Sequence, residues 1–224
     1  DGSTGALIFV SAPNYEIPTD VGTNNIYEVE VTVTDDGVGT LSDVQSITVT
    51  VVDVNDAPLL TSGTSVSVVE NTTSVQTVTA TDADSDALTY SLTGGADQAK
   101  FSIDGTTGVL SFASAPDFES PSDAGTNNIY EVEVTVTDDG AGSLSDVQSL
   151  SVSVTNANEA PVLTSATSLS IPENTTSVLT VTATDVDAGT TLTYSLTGGA
   201  DQAKFSLDGS TGALIFVSAP NYEI

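Results

Sequence analysis

The chain has no cysteine, histidine, methionine or tryptophan, and its 224 residues hold two cations, Lys100 and Lys204, against 31 carboxylates. Each absence removes a class of chemistry. Without His or Cys there is no imidazole base, no thiolate nucleophile, no zinc site of the usual ligands and no haem ligand. Two cations cannot neutralise a run of phosphates, which excludes nucleic acid and anionic membrane surfaces as partners. No apolar run approaches the roughly 20 residues that a membrane helix needs, and a zero cysteine count leaves the redox compartment open. What remains is carboxylate and hydroxyl chemistry. The net charge is −29, yet 38% of residues are hydrophobic, too many for a disordered acidic tail.

The chain is internally repeated, and the period decides how it is divided. Gly22 to Gly37, GTNNIYEVEVTVTDDG, recurs unchanged at Gly125 to Gly140, a shift of 103. Leu88 to Ser102, LTYSLTGGADQAKFS, recurs at Leu192 to Ser206, a shift of 104, the extra residue falling in the loop after Asp187. Asp1 to Ile17 is identical to Asp208 to Ile224. The expected division is therefore the C-terminal part of one repeat at 1–56, a complete repeat at 57–159 and the N-terminal part of a third at 160–224. The opening Asp1-Gly2-Ser3 has neither a basic n-region nor an apolar h-region, so the sequence reads as a segment of a longer array.

Within a repeat the periodicity is that of strands. Tyr130, Val132, Val134 and Val136 alternate with Glu131, Glu133, Thr135 and Thr137, the pattern of a half-buried strand. Leu150, Val152 and Val154 alternate with serines, and short runs rich in Val, Thr and Ser occur at 66–69, 75–80, 88–92, 101–103 and 109–112. Turn signals such as Asp104-Gly105 and Asp139-Gly140 separate them. Seven short strands in about 100 residues predict an all-β fold, a Greek-key β-sandwich per repeat, with the sandwiches joined end to end. The expected core is Tyr90, Leu92, Phe101, Ile103, Leu110, Phe112, Tyr130, Val132, Val134, Leu150 and Val152.

Acidic motifs sit beside the strand ends. Val52 to Pro58 reads VDVNDAP, Pro172-Glu173-Asn174 has a looser copy at Val69-Glu70-Asn71, and Pro116 to Glu119 reads PDFE. Asp82-Ala83-Asp84 and Asp185-Val186-Asp187 are D-x-D pairs, and Thr137 to Gly140 repeats Thr34 to Gly37. In this order and at this period they resemble the motifs of cadherin repeats of the bacterial kind, as in the extender region of large repeats-in-toxin adhesins. The resemblance implies Ig-like, cadherin-like sandwiches and Ca²⁺ at the junctions between them. Calcium suits the residue types: it takes six to eight hard oxygens from flexible carboxylates, Asn carbonyls and main-chain carbonyls.

The resemblance places Glu16, Asp53, Asn55, Asp56, Asp82, Asp84 and Asp138 at a first junction. At a second it places Glu70, Asp117, Glu119, Asn156, Asn158, Glu159, Asp185 and Asp187. Asp35 and Glu173 are further ligand positions, the counterparts of Asp138 and Glu70 in the flanking repeats. Two carboxylates about 5 Å apart repel by roughly 3 kcal/mol at an effective dielectric of about 20, so a metal-free junction is expected to splay. The two junctions differ: Asn156 stands where Asp53 stands, Glu159 where Asp56 stands, and Asn14 where Asp117 stands.

Competing readings are weaker. Glu28, Glu30, Glu131 and Glu133 fall on the wet side of the alternation. Carboxylate pairs can serve a glycosidase, but there is no Trp sugar platform and every acid pair is duplicated with the repeat. The expected protein is not an enzyme. It is a calcium-rigidified stalk segment of a bacterial cell-surface adhesin, extracellular, whose partners are adjacent identical repeats, with strand exchange between chains as an alternative. A cadherin-like adhesive module binding like partners or surface polysaccharide is the second functional reading.

Overall fold

The computed structural model describes residues 4–223; Asp1–Ser3 and Ile224, parts of the identical 17-residue ends, lie outside the described residues. Among the described residues there are sixteen strands, two 3-10 turns (Gln98–Lys100 and Gln202–Lys204) and no α-helix. The chain divides into two compact units. One takes the chain up to Val68, Thr72–Pro116 and Asp123–Val154; the other takes Val69–Asn71, Asp117–Ser122 and the chain from Thr155.

The first unit opens with an antiparallel hairpin, β1 (Ile26–Thr34) and β2 (Ser42–Thr50), in register from Ile26↔Thr50 to Thr34↔Ser42. The Asp35 side chain closes its turn, Oδ1 accepting from the backbone N–H of Gly37 and Leu41. Nine strands follow: β3 (Leu59–Leu60), β4 (Ser65–Val69), β5 (Ser74–Thr77), β6 (Ala80–Thr81), β7 (Thr89–Gly94), β8 (Phe101–Ile103), β9 (Val109–Phe112), β10 (Ile129–Thr137) and β11 (Ser145–Thr155). They form a sheet of order β4-β11-β10-β7, a sheet of order β5-β9-β8, and a short β3-β6 pair. All seven expected runs are strands. The run expected at 75–80 divides because its backbone changes partner. Val78 N–H donates to the Gly108 carbonyl on the β9 side, whereas the Thr79 carbonyl accepts from Thr61 beside β3.

The core lies between the two larger sheets. Tyr130, Val132, Val134 and Val136 of β10 are at most 1% exposed, and Leu150, Val152 and Val154 of β11 are buried beside them. From the facing sheet come Phe101, Leu110 and Phe112. Phe101 stacks on Phe112 with ring centroids 4.6 Å apart, and Phe112 meets Tyr130 edge-on at 5.1 Å, tying the sheets together. Each such side chain, fully buried, contributes about 1.5–3 kcal/mol. Tyr90, Leu92 and Ile103, expected inside, are half-buried, because β7 and β8 are edge strands. Leu60, Val68 and Val78 take core places instead.

The second unit holds β12 (Val162–Leu163), β13 (Ser177–Thr180), β14 (Ala183–Thr184), β15 (Phe205–Leu207) and β16 (Ala213–Phe216). Its sheets, β13-β16-β15 and β12-β14, repeat β5-β9-β8 and β3-β6. Residues 168–172 and 193–198, the counterparts of β4 and β7, form no strand. In the complete repeat those two strands flank β11 and β10. No such central pair lies beside their counterparts among the described residues, and without one the backbone has nothing to pair with.

Candidate metal centre

Two acidic clusters form, one in each unit. In the first, carboxylate oxygens of Glu16, Asp53 and Asp84 lie within 4.8 Å of one another, and so do those of Asp82, Asp84 and Asp86. Local sequence builds this geometry. After β6 the D-x-D segment turns back on itself, Asp82 Oδ1 accepting from the N–H of Asp84 at 3.0 Å and of Asp86 at 3.2 Å. Asp84 Oδ2 accepts from the N–H of Asp56 at 2.7 Å, fastening the VDVNDAP segment to the same place. Asn55 Nδ2 donates to Asp138 Oδ2 at 3.3 Å. Asp138, 4% exposed, accepts from Gly140 and Leu144 through its other oxygen. A Cβ on Gly140 would press on the ends of the Asn55 and Asp86 side chains, which would have to shift.

In the second cluster the same holds for Glu70, Asp117 and Glu119, and for Glu119, Glu159 and Asp187. Glu70 is 2% exposed; its oxygens accept from Phe118 N–H at 2.7 Å and Ala157 N–H at 2.9 Å. Asn71 sits at φ 61°, a left-handed conformation Asn tolerates, and its amide donates to Glu159 Oε1 at 2.7 Å. Asp187 Oδ2 accepts from Glu159 N–H at 2.7 Å, as Asp84 does from Asp56. Asp187 N–H donates to Asp185 at 3.0 Å.

Electrostatics agree with crowding of like charge. Desolvation raises the Glu119 carboxyl above its ordinary value, a backbone hydrogen bond partly opposes this, and Glu70, Asp187 and Asp117 add to the rise. Glu159 is raised by desolvation and by Glu70, Asp187 and Glu119. Asp86 is raised by desolvation and by Asp82, Asp139, Asp84 and Asp138. At Glu16 a backbone hydrogen bond lowers the value, but desolvation and the charges of Asp84, Asp53 and Asp56 outweigh it.

Of the predicted ligands, Glu16, Asp53, Asp82 and Asp84 converge in the first cluster, with Asn55, Asp56 and Asp138 linked to it by hydrogen bonds. Glu70, Asp117, Glu119, Glu159 and Asp187 converge in the second, with Asp185 attached. Asn158 donates to the Glu159 carbonyl beside it, and Asn156 is exposed. Among the described residues, Asp35 and Glu173 join neither cluster. Asp35 holds its hairpin turn, and Glu173 accepts from Tyr222 N–H as Glu70 accepts from Phe118. Sequence reasoning missed Asp86, signalled only by a third acid in D-x-D-x-D, and Asn71. It also missed the buried acids Asp97 and Asp123. These are architectural: Asp97 accepts from Ala124 and Glu131, and Asp123 from Asn127 and Asn128.

Residues 64–155 match the Cadherin domain. Over those residues the chain is similar to a cadherin domain. The mouse Cadherin EGF LAG seven-pass G-type receptor 2 is 32% identical over 241 aligned residues, 98% of this chain but 8% of that protein, so the chain spans only a small part of its curated relatives. Halomucin of Haloquadratum walsbyi is 60% identical over 35 residues, 16% of this chain and, rounded, 0% of that protein. Among solved structures, the protocadherin gammaB7 EC3-6 cis-dimer has a TM-score of 0.57 at 27% identity, covering 92% of this chain and 55% of that one. The cadherin domain is an all-β, extracellular adhesion and structural module rather than an enzyme, and cadherin domains bind Ca²⁺.

Whether the residues present fit calcium is decided by oxygens that the protein leaves unsatisfied. Asp82 Oδ2 and Asp84 Oδ1 in the first cluster, and Glu159 Oε2 and Asp187 Oδ1 in the second, are buried without a hydrogen-bond donor. Buried anionic oxygens without donors carry a large desolvation cost. Hard oxygens from carboxylates at this spacing are the donor set Ca²⁺ takes. They fit.

Proposed function

We propose that this chain is part of the extender of a large bacterial cell-surface adhesin of the repeats-in-toxin kind, in which Ca²⁺ stiffens the passage from one cadherin-like repeat to the next. The repeats are assigned to 1–56, 57–159 and 160–224, with adjacent identical repeats as partners along one array. The observation that carries the reading is the set of buried, donor-free carboxylate oxygens at Asp84 and Asp187, each within an acidic cluster. Asp53, Asp82, Asp84 and Glu16 would hold the ion at the first junction, and Glu70, Glu119, Glu159 and Asp187 at the second. The cation supplies charge neutralisation, and the residues supply oxygens already fixed by backbone donors. The unchanged stretches at Gly22 to Gly37 and Gly125 to Gly140 favour a stalk over a recognition module, whose loops would diversify between copies.

Small-angle scattering with Ca²⁺ and then with chelator tests it. The expected result is a longer, stiffer particle with Ca²⁺, and an unchanged maximum dimension would refute the stalk. Calorimetric titration assigns the ligands: Asp84→Asn is expected to weaken Ca²⁺ binding by about tenfold or more, whereas Glu133→Gln, on the outer side of β10, leaves it unaltered.

A further inference from the structure

The two acidic clusters take their linker carboxylate from different positions. In the first, Glu16 and Asp84 are completed by Asp53; in the second their counterparts, Glu119 and Asp187, are completed by Glu159. At the second the position of Asp53 is held by Asn156, an exposed amide. Glu159 is the counterpart of Asp56, which completes no such group among the described residues, and it is longer by one methylene. A carboxylate is thus missing at one linker position and supplied from three residues further along by a side chain with the reach to do so.

A longer side chain has more rotamer freedom to lose, and a partner must choose among its positions. Glu70 and Asn71 grip the linker at two points. Buried Glu70 accepts from the Ala157 N–H at 2.9 Å, and the Asn71 amide donates to Glu159 Oε1 at 2.7 Å. Asn71 does so from a left-handed backbone at φ 61°, which Asn adopts more readily than most residues. An ionised carboxylate can only accept, so the amide presents its nitrogen. With Oε1 held, Oε2 of Glu159 is left buried and without a donor, as is Oδ1 of Asp187, a residue only 9% exposed. We propose that Asn71 is a positioning residue of the second metal centre, holding Glu159 where its carboxylate replaces the one absent at Asn156. The inference rests on the calcium reading and adds to it a residue whose amide serves a ligand rather than the ion. Residues 71, 156 and 159 then form one coupled set: an acid at 156 makes both the length of residue 159 and the amide at 71 dispensable.

Calorimetric Ca²⁺ titration of the 224-residue chain tests it, the binding step that survives Asp84→Asn being the one assigned to the second cluster. At that step Glu159→Asp, which keeps the charge and shortens the reach, is expected to weaken binding about tenfold or more, and Asn71→Gly, which keeps the left-handed backbone and removes the amide, by about tenfold. Asn156→Asp is the deciding variant. Added to either, it is expected to bring the affinity back to within about threefold of the parent, and Asn71→Gly is expected to weaken binding no further in the Glu159→Asp background, where the shorter side chain no longer meets the amide. Rescue separates a lost ligand from lost folding, since an added carboxylate repairs only the first. A parent chain that takes up no Ca²⁺ would overturn the calcium reading itself. A parent that binds, with Asn71→Gly and Glu159→Asp titrating as it does, or with losses that Asn156→Asp leaves unrestored, would overturn the role of Asn71 alone.

Discussion

The nonapeptide IYEVEVTVT occurs twice in this protein and lives in two different environments. As β10 it sits in the middle of a four-stranded sheet with Tyr130 through Val136 sealed in the core; as β1 it pairs with one neighbour and its valines meet solvent. The hexapeptide TYSLTG makes the same point more sharply. At 89–94 it is a strand beside β10, and at 193–198, with no such neighbour among the described residues, it is not a strand at all. Identical local propensity therefore gives different structure, and the deciding quantity is the partner that satisfies the backbone and covers the side chains.

The comparison can be broken most forcefully at a glycine. Gly95 and Gly199 share a positive φ, 95° and 105°, so alanine carries similar backbone strain at both. Only at Gly95 would the new Cβ also run into the β10 backbone. Gly95→Ala is expected to destabilise its unit by about 3–4 kcal/mol in urea unfolding, strain plus overpacking, against about 1 kcal/mol for Gly199→Ala. Equal losses would mean that β10 does not press on this turn.

Valine truncation is the next test. Val134→Ala opens a cavity at a residue 0% exposed, and the expected cost is roughly 2 kcal/mol. Val31→Ala, the same change in the same nonapeptide, is expected to stay within about 0.5 kcal/mol, because that side chain is already 42% exposed.

These contrasts also mark what could be read from sequence. Alternation at Tyr130 to Val136 and the spacing of turns were sufficient for the all-β sandwich, because a period of two states which side chains face inward whatever the partner. The paired Asp82 and Asp84, and Asp185 and Asp187, were legible for a similar reason: alternate residues of a short extended segment share a side. Asp86 was hidden because its place in the cluster comes from a turn in which its own N–H is drawn to Asp82. The loss of strand at 193–198 could not be seen in a hexapeptide that is elsewhere a strand. Asp97 and Asp123 looked like any other surface acid, and only the fold shows their oxygens taken by backbone donors.

The smallest expected effect is a pH dependence, and it separates the crowded acids from the architectural ones by sign. Glu16, Glu119 and Glu159 have carboxyls raised above their ordinary 4.5, and Asp86 one raised above 3.8. A raised acid holds its proton in the folded state where the unfolded chain has released it, so in calcium-free solution stability increases as pH falls through the raised values toward the ordinary ones. Asp20, Asp104, Asp123 and Asp208 are shifted the other way. Desolvation opposes the shift at Asp20 and Asp123, and backbone N–H donors outweigh it; at Asp104 and Asp208 the donors dominate. Their contribution is complete above 3.8 and is lost as pH falls below it through the depressed values. With chelator present, stability is therefore expected to peak near the ordinary carboxylate range and decline on both sides. Calcium reverses the upper limb alone, because protons compete with the ion for the crowded carboxylates but not for those held by backbone donors. Chemical unfolding across this range, with Ca²⁺ and with chelator, checks it; a calcium effect confined to the acid limb would place the ion on the architectural acids instead.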